Sequence, residues 1–233
     1  MEKVLSILSA GAPKGGVRLC LDAFEDAHGI ATNVTFATAP NVRKAVRDGT
    51  SDADLVVAPL DALSSFKADE LFIPTAGRVL GSVAAGVVIR SRAPAPDIRD
   101  VDSLVQALRA AAAVIYNTAS SGAYIETMIH ALGLTAELAN KTIRPENGAA
   151  VMRALVECDG AALGFTQIPE IRNHADQGVS LVDALPDAVA HVTTYGVAVL
   201  KDARNMENAT ALANFMASDA VSDRLDAAGI TRK

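Results

Sequence analysis

Residues 112–134, "AAVIYNTASSGAYIETMIHALGL", decide how the rest of the chain is read. A short apolar run gives way to Asn117-Thr118-Ala119-Ser120-Ser121-Gly122, and then to a stretch with helical apolar spacing. The pattern is a strand, a turn of small and hydroxyl-bearing residues, and a helix. The first turn of a helix leaves backbone N–H groups without intrahelical partners, and the macrodipole adds partial positive charge there. The hydroxyls therefore either cap the helix, or stand beside N–H groups that hold an anion.

The same unit recurs to either side. Apolar runs at 4–8, 34–37 and 55–58 each end in small residues or proline, and helical patterns follow at 16–28, 41–48 and 60–66. Strands alternating with helices indicate parallel β-α units, and apolar runs without alternation suit strands buried on both faces. The run 79–89 is too long for one ordinary buried strand, and Gly81 and Gly86 suggest bends, as in a crossing between two lobes. An amphipathic helix is expected at 101–111 behind an Asp102/Ser103 cap, and another at 148–157. "GAALGFTQIPEI" (160–171) reads as a strand and turn, 192–200 as a strand crossing back, and 206–228 as helical throughout. No fixed period repeats, which excludes a solenoid.

Composition narrows the function. Hydrophobic residues make up 50% of the 233 and charged residues 21%, enough for a buried core and inconsistent with disorder. The net charge of -6 argues against nucleic acid or an anionic membrane surface as main partner, yet permits a local anion site. Few aromatics and no Trp argue against a sugar platform or a base-stacking surface. Cys20 and Cys158 lack zinc spacing and read as core thiols, with a disulfide between them left open. No apolar run is long enough to span a bilayer, so no membrane insertion is expected. The segment "MEKVLSILSAGAPKGG" enters a strand directly. That start predicts a cytoplasmic protein if Met1 is native, and a periplasmic one if a signal peptide has been removed ahead of it. GxSxG, P-loop, GxGxxG and HExxH patterns are absent, and neither a cofactor nor a metal is expected.

Four segments, in order, carry a resemblance: "ILSAGAPKGGVRLCLDAFEDAHG", "VTFATAPNVRKAVRDGTSDADLVVAP", "YNTASSGAYIETMIHALGL" and "GAALGFTQIPEI". The chain resembles the type II periplasmic binding proteins over nearly its whole length, most of all the molybdate-binding group of ABC transporters. The resemblance implies an α/β, two-lobed fold with mixed, mostly parallel sheets, helices on both faces and two crossover strands. Lobe 1 is expected at 1–80 plus 196–233 and lobe 2 at 81–195, with a ligand cleft between them that closes by hinge motion. It also implies that hydroxyls and backbone N–H groups hold the ligand. By position these belong to Ala10, Gly11 and Ala12, to Thr38 and Ala39, to Ser120, Ser121 and Gly122, and to Phe165, Thr166 and Gln167, with Tyr195 as a further hydroxyl donor.

Two departures widen the ligand class. Where molybdate binders carry a serine in the first turn, this chain has Ala12-Pro13, and its second turn offers only Thr38 before Ala39-Pro40; it adds Lys14 next to the first turn and Arg78 just before the crossing. Cations suit carboxylates, so a small di- or tricarboxylate stands beside an inorganic oxyanion, unless both cations are solvated surface residues. Enzymes of the aconitate-isomerase kind resemble the same group. Their chemistry, proton abstraction beside a carboxylate and reprotonation further along, needs a base within reach; the candidates are Lys14, Tyr116 and Tyr124. His130 lies too far along its helix, and Glu126 and Glu170 read as helix-start carboxylates. The implied partners are the small anion and, with export, an ABC transporter permease.

Overall fold

The computed structural model describes residues 4–68, 70–73 and 78–232, with the side chains of 66–68 excepted. Residues 1–3, on which the reading of the start rests, lie outside this set. The chain divides into two compact units, one formed by Met1–Val83 with Thr193–Lys233 and the other by Ala84–Val192.

In the first unit, strands β1 (Leu5–Ala10), β2 (Thr32–Ala37) and β3 (Leu55–Pro59) are each followed by a helix: α1 (Lys14–His28), α2 (Ala39–Arg47) and α3 (Leu60–Ala68). β1 lies parallel to both β2 and β3, and β3 pairs antiparallel with β9 (Val192–Val199). β3 is buried throughout, as its unbroken apolar run requires, whereas β2 at the sheet edge alternates between half-buried and exposed residues. Helices α9 (Met206–Met216) and α10 (Ser222–Ala227) pack on α1, and Leu212, Met216, Leu225 and Ile230 join Val17, Cys20 and Phe24 in one core.

One buried carboxylate joins three segments of this unit. Asp54, 1% exposed, accepts from Ser6 N–H at 2.9 Å and from Arg204 N–H at 2.7 Å, and the Arg204 guanidinium approaches it to 3.6 Å. Cys20 lies in the same core, and burial pushes its thiol up to about 12. Both cysteines are free, and Cys158 is half-buried in the other unit. Titrating the native protein with a disulfide reagent should consume one thiol, Cys158, and leave Cys20 unreacted until denaturant is added, because the thiolate is the nucleophile. Rapid native reaction of two thiols would contradict this.

The second unit begins within β4 (Arg78–Arg90) and continues through α4 (Val101–Ala110), β5 (Ala113–Tyr116), α5 (Ser120–Ala131), α6 (Thr135–Leu138), β6 (Thr142–Ile143), α7 (Gly148–Glu157), β7 (Ala162–Gln167), α8 (Ile168–Arg172) and β8 (Val179–Ala184). Its sheet runs β4-β7-β5-β6, with β8 on the other side of β4. β7, β5 and β6 are parallel, while β4 is antiparallel to β7 and β8.

Three expectations need correction. The apolar run read as bent is one continuous 13-residue strand, β4, long because its first part belongs to one unit and its second to the other. It departs from regular strand geometry at Gly81, where φ is +156°, and in a register shift against β8 between Val87 and Val88. The tail is two helices rather than one: α9 stops at Met216, Ser218 is extended, and the Ser218 hydroxyl donates to the Phe215 carbonyl at 2.8 Å. The Arg232 guanidinium closes this break by donating to the carbonyls of Ala217 and Ser218. Finally, α4 is capped by Asp100, whose carboxylate accepts from Ser103 N–H at 2.8 Å while the Ser103 hydroxyl accepts from Asp100 N–H at 3.1 Å.

Candidate functional site

In the first unit, the register Ala10↔Ala37 brings the ends of β1 and β2 side by side, and Gly11 N–H donates to the Ala37 carbonyl at 2.9 Å. Ala10, Gly11, Ala12, Thr38 and Ala39 therefore form two adjacent turns, each opening a helix. Neither helix start carries a side-chain cap, for Pro13 stands at the N-cap of α1 and the Thr38 hydroxyl makes no capping bond to α2. The contrast lies within the same chain: Asp100, Asn147 and Asn205 cap α4, α7 and α9 through their side chains. Two neighbouring helix starts without a side-chain acceptor are suited to an external anion.

Lys14 opens α1, half-buried, with its ammonium 5.5 Å from the Phe36 ring centroid and the Arg18 guanidinium 5.4 Å from the same ring. Positive charge thus stands at the β1 and β2 ends. Of the other two residues expected here, Arg78 donates through Nε to Asn214 of α9, whereas Tyr195, buried in β9, lies opposite Pro59 at the sheet end where β3 finishes.

In the second unit, β5 and β7 run parallel with Tyr116 beside Phe165, so the turn 117–122 neighbours Thr166 and Gln167. The question raised by this turn has a specific answer. Asn117, buried and overlooked in the sequence, supplies the acceptor: its Oδ1 takes Ala119 N–H at 2.9 Å and Gly122 N–H at 3.2 Å, and its Nδ2 donates to Ser121 Oγ at 3.1 Å. The first bond is an Asx-turn, the signal that an Asn two residues before the N-cap could have given. Ser121 is buried against Asn117, whereas Ser120 and Thr118 are exposed. Gly122 is required sterically, since a Cβ there would lie 1.6 Å from the Asn117 carbonyl oxygen.

The tyrosines are engaged by neighbours. Arg144 lies 4.4 Å from the Tyr116 ring centroid and pairs with Glu126 at 2.7 Å; burial raises the Tyr116 pKa, against the opposing effect of Arg144. The Tyr124 hydroxyl donates to the Val189 carbonyl at 3.0 Å and its ring stacks on His191 at 4.1 Å, where burial lowers the imidazole pKa. His130 is exposed on α5. Arg144 follows β6 and had no signal in the sequence, because only the β5-β6 pairing brings it over Tyr116.

Thr166 and Gln167 are buried at the end of β7, and the Thr166 hydroxyl donates to the Glu170 carboxylate. That carboxylate sits against the start of α7, where a Cβ on Gly148 would fall 2.2 Å from Oε2. Burial raises the Glu170 pKa, opposed by the Thr166 hydroxyl, His174 and Gln167 N–H, in that order. Between the unfolded value near 4.5 and the raised folded one, the native state holds more protons than the unfolded state. Stability contributed at this residue therefore falls as pH rises through that window. Glu170→Gln should flatten that fall in urea titrations run from acid to neutral pH; an unchanged pH profile would contradict the assignment.

Among the described residues no three His, Cys, Asp or Glu side chains gather as a metal site, and no helix is long and apolar enough to cross a membrane.

Comparison with known proteins adds the family context. The family described as bacterial extracellular solute-binding protein matches residues 5–231. An aconitate isomerase from a Pseudomonas species is 27% identical over 236 residues, covering 97% of this chain and 87% of that protein. The Azotobacter vinelandii periplasmic molybdate-binding protein superposes with a TM-score of 0.81 at 14% identity, over 98% of this chain and 99% of its own. The sulfate-binding protein SubI of Mycobacterium tuberculosis does so with 0.76 at 19% identity, over 98% and 86%.

Proposed function

We propose that this chain, which belongs to the family of bacterial extracellular solute-binding proteins, binds a small oxyanion or a small di- or tricarboxylate through its strand-end turns. The observation that carries the reading is the pair of uncapped helix starts at the β1 and β2 ends, with Lys14 at the first of them. Backbone N–H groups of Ala12 and Ala39, the Lys14 ammonium, the Thr38 hydroxyl, and Ser120 of the second unit are the donors proposed. Lys14 supplies the charge that favours a carboxylate, since charge-assisted bonds are the stronger kind. Export would place the protein outside the cytoplasm, with an ABC transporter permease as its partner.

Isothermal calorimetry against molybdate, sulfate, phosphate, citrate, and cis- and trans-aconitate tests this. At least one anion should bind, and Lys14→Ala should weaken it about tenfold, the equivalent of roughly 1.4 kcal/mol. Binding of none, or indifference to Lys14→Ala, would remove the basis of the reading.

A second reading rests on the aconitate isomerase relative, which spans nearly the whole chain. Shifting a double bond beside a carboxylate requires a group that takes a proton and returns it. Tyr124 already donates its proton to a backbone carbonyl and Tyr116 is covered by Arg144, which leaves Lys14 from the original candidates. Glu170 joins it as a carboxyl that burial holds protonated to higher pH than an exposed one, so that it can carry a proton and return it. NMR observation of cis- and trans-aconitate mixed with the protein decides the matter: interconversion that Glu170→Gln or Lys14→Ala abolishes makes the chain an isomerase, and the absence of interconversion leaves it a binder.

A further inference from the structure

We propose that the second unit carries an accessory site for a small carboxylate with an apolar body, in a cavity where β4 ends and β7 and β8 begin. The cavity, about 550 Å³, is lined chiefly by Arg90, Arg92, Pro94, Val156, Gly160 and Gly178. It falls within the size range of small-molecule sites. It lies at the opposite end of β7 from Thr166 and Gln167, a strand length away, on the order of 15–20 Å. No part of it coincides with the turns described above.

Three features define the ligand class. The first is charge: two arginines and no acidic side chain line the cavity, in a chain whose net charge is -6. Neither arginine forms an ion pair among the described residues; Arg90 reaches only the Gly160 carbonyl, at 3.4 Å. A guanidinium matches a carboxylate with two parallel N–H bonds, so an anion of that shape is the fitting partner. The second is the wall, where Ala93 and Pro94 face a cavity shared with Val156, a large apolar side chain left 39% exposed. Such a wall suits a hydrocarbon or ring better than a hydrated inorganic ion. The third is rigidity. Ser91 N–H donates to the Gly178 carbonyl at 2.9 Å, Ala93 N–H donates to the Arg90 carbonyl at 2.8 Å, and Ser180 Oγ donates to Ser91 Oγ at 3.0 Å. The rim is therefore fixed before a ligand arrives, which lowers the entropic cost of binding.

The test is an amide NMR titration of the full chain with benzoate, alongside benzyl alcohol as the uncharged analogue. Benzoate should move the resonances of Gly160, Ala161 and Gly178 while those of Asn117 to Gly122 stay in place. Benzyl alcohol should bind about tenfold more weakly, and Arg92→Ala should weaken benzoate by a similar factor. Val156→Glu, an exposed change that sets a carboxylate on the wall, should abolish the shifts while the melting temperature is retained. The proposal is overturned if benzoate leaves these amides unmoved, if benzyl alcohol matches it, or if both variants titrate like the parent chain. None of these outcomes depends on which anion the strand-end turns bind, so the two readings stand or fall separately.

Discussion

Gly122→Ala is expected to destabilise the protein by about 3 kcal/mol or more, a large fraction of the stability of a domain this size. The added carbon would lie 1.6 Å from the Asn117 carbonyl oxygen and 2.8 Å from its Oδ1, so neither backbone nor side chain can yield without cost. Relief requires α5 to move away from β5, which breaks the Gly122 N–H bond to Asn117 and exposes Ser121. Urea denaturation measures the loss, and the anion response should weaken in parallel because Ser120 moves with the helix start. Asn117→Ala separates the two contributions. It removes the acceptor for two N–H groups without a clash and should cost less, about 2 kcal/mol. A Gly122→Ala protein within about 0.5 kcal/mol of the parent would show that the helix start is not held as described.

The second large effect is expected at Asp54. Its carboxylate, 1% exposed, satisfies the backbone N–H groups of Ser6 and Arg204, which are separated by nearly the whole chain. Asp54→Ala leaves both donors and the nearby guanidinium without that acceptor, and the expected loss is about 3–5 kcal/mol. Arg204→Ala is the control. The Arg204 side chain is 54% exposed and its pairing correspondingly screened, so about 1 kcal/mol is expected. A larger loss from Arg204→Ala than from Asp54→Ala would mean that the ion pair, rather than the backbone bonds, joins these segments.

Much of the fold was legible because period and punctuation were local. The alternation that placed β1, β2 and β3, each followed by a helix, depends on apolar spacing and on small residues at strand ends. Glycine misled where tertiary context decided the outcome. Gly81 and Gly86 suggest an interrupted run, whereas both lie inside the continuous β4: Gly81 takes a positive φ of 156° there, and at Gly86 a Cβ would crowd Ile168 and Leu181. At the candidate site, the turns were visible but their satisfaction was not. Asn117 was passed over beside the hydroxyls, while Arg144 over Tyr116 and Glu170 against Gly148 depend on strand pairings that no spacing encodes.

The division of the chain also has a consequence for biosynthesis. The second unit is one uninterrupted segment, Ala84–Val192, and every strand of its sheet except the first part of β4 lies within it. The first unit is discontinuous, and Leu212, Leu225 and Ile230, translated after the inserted segment, complete the core begun by Leu5, Val17 and Phe24. On the ribosome the inserted segment can therefore close its core while the earlier strands still wait for their last partners. Strands β1, β2 and β3 stay open until α9 and α10 emerge, and during that interval they are the part of this unit most exposed to holding factors and to aggregation.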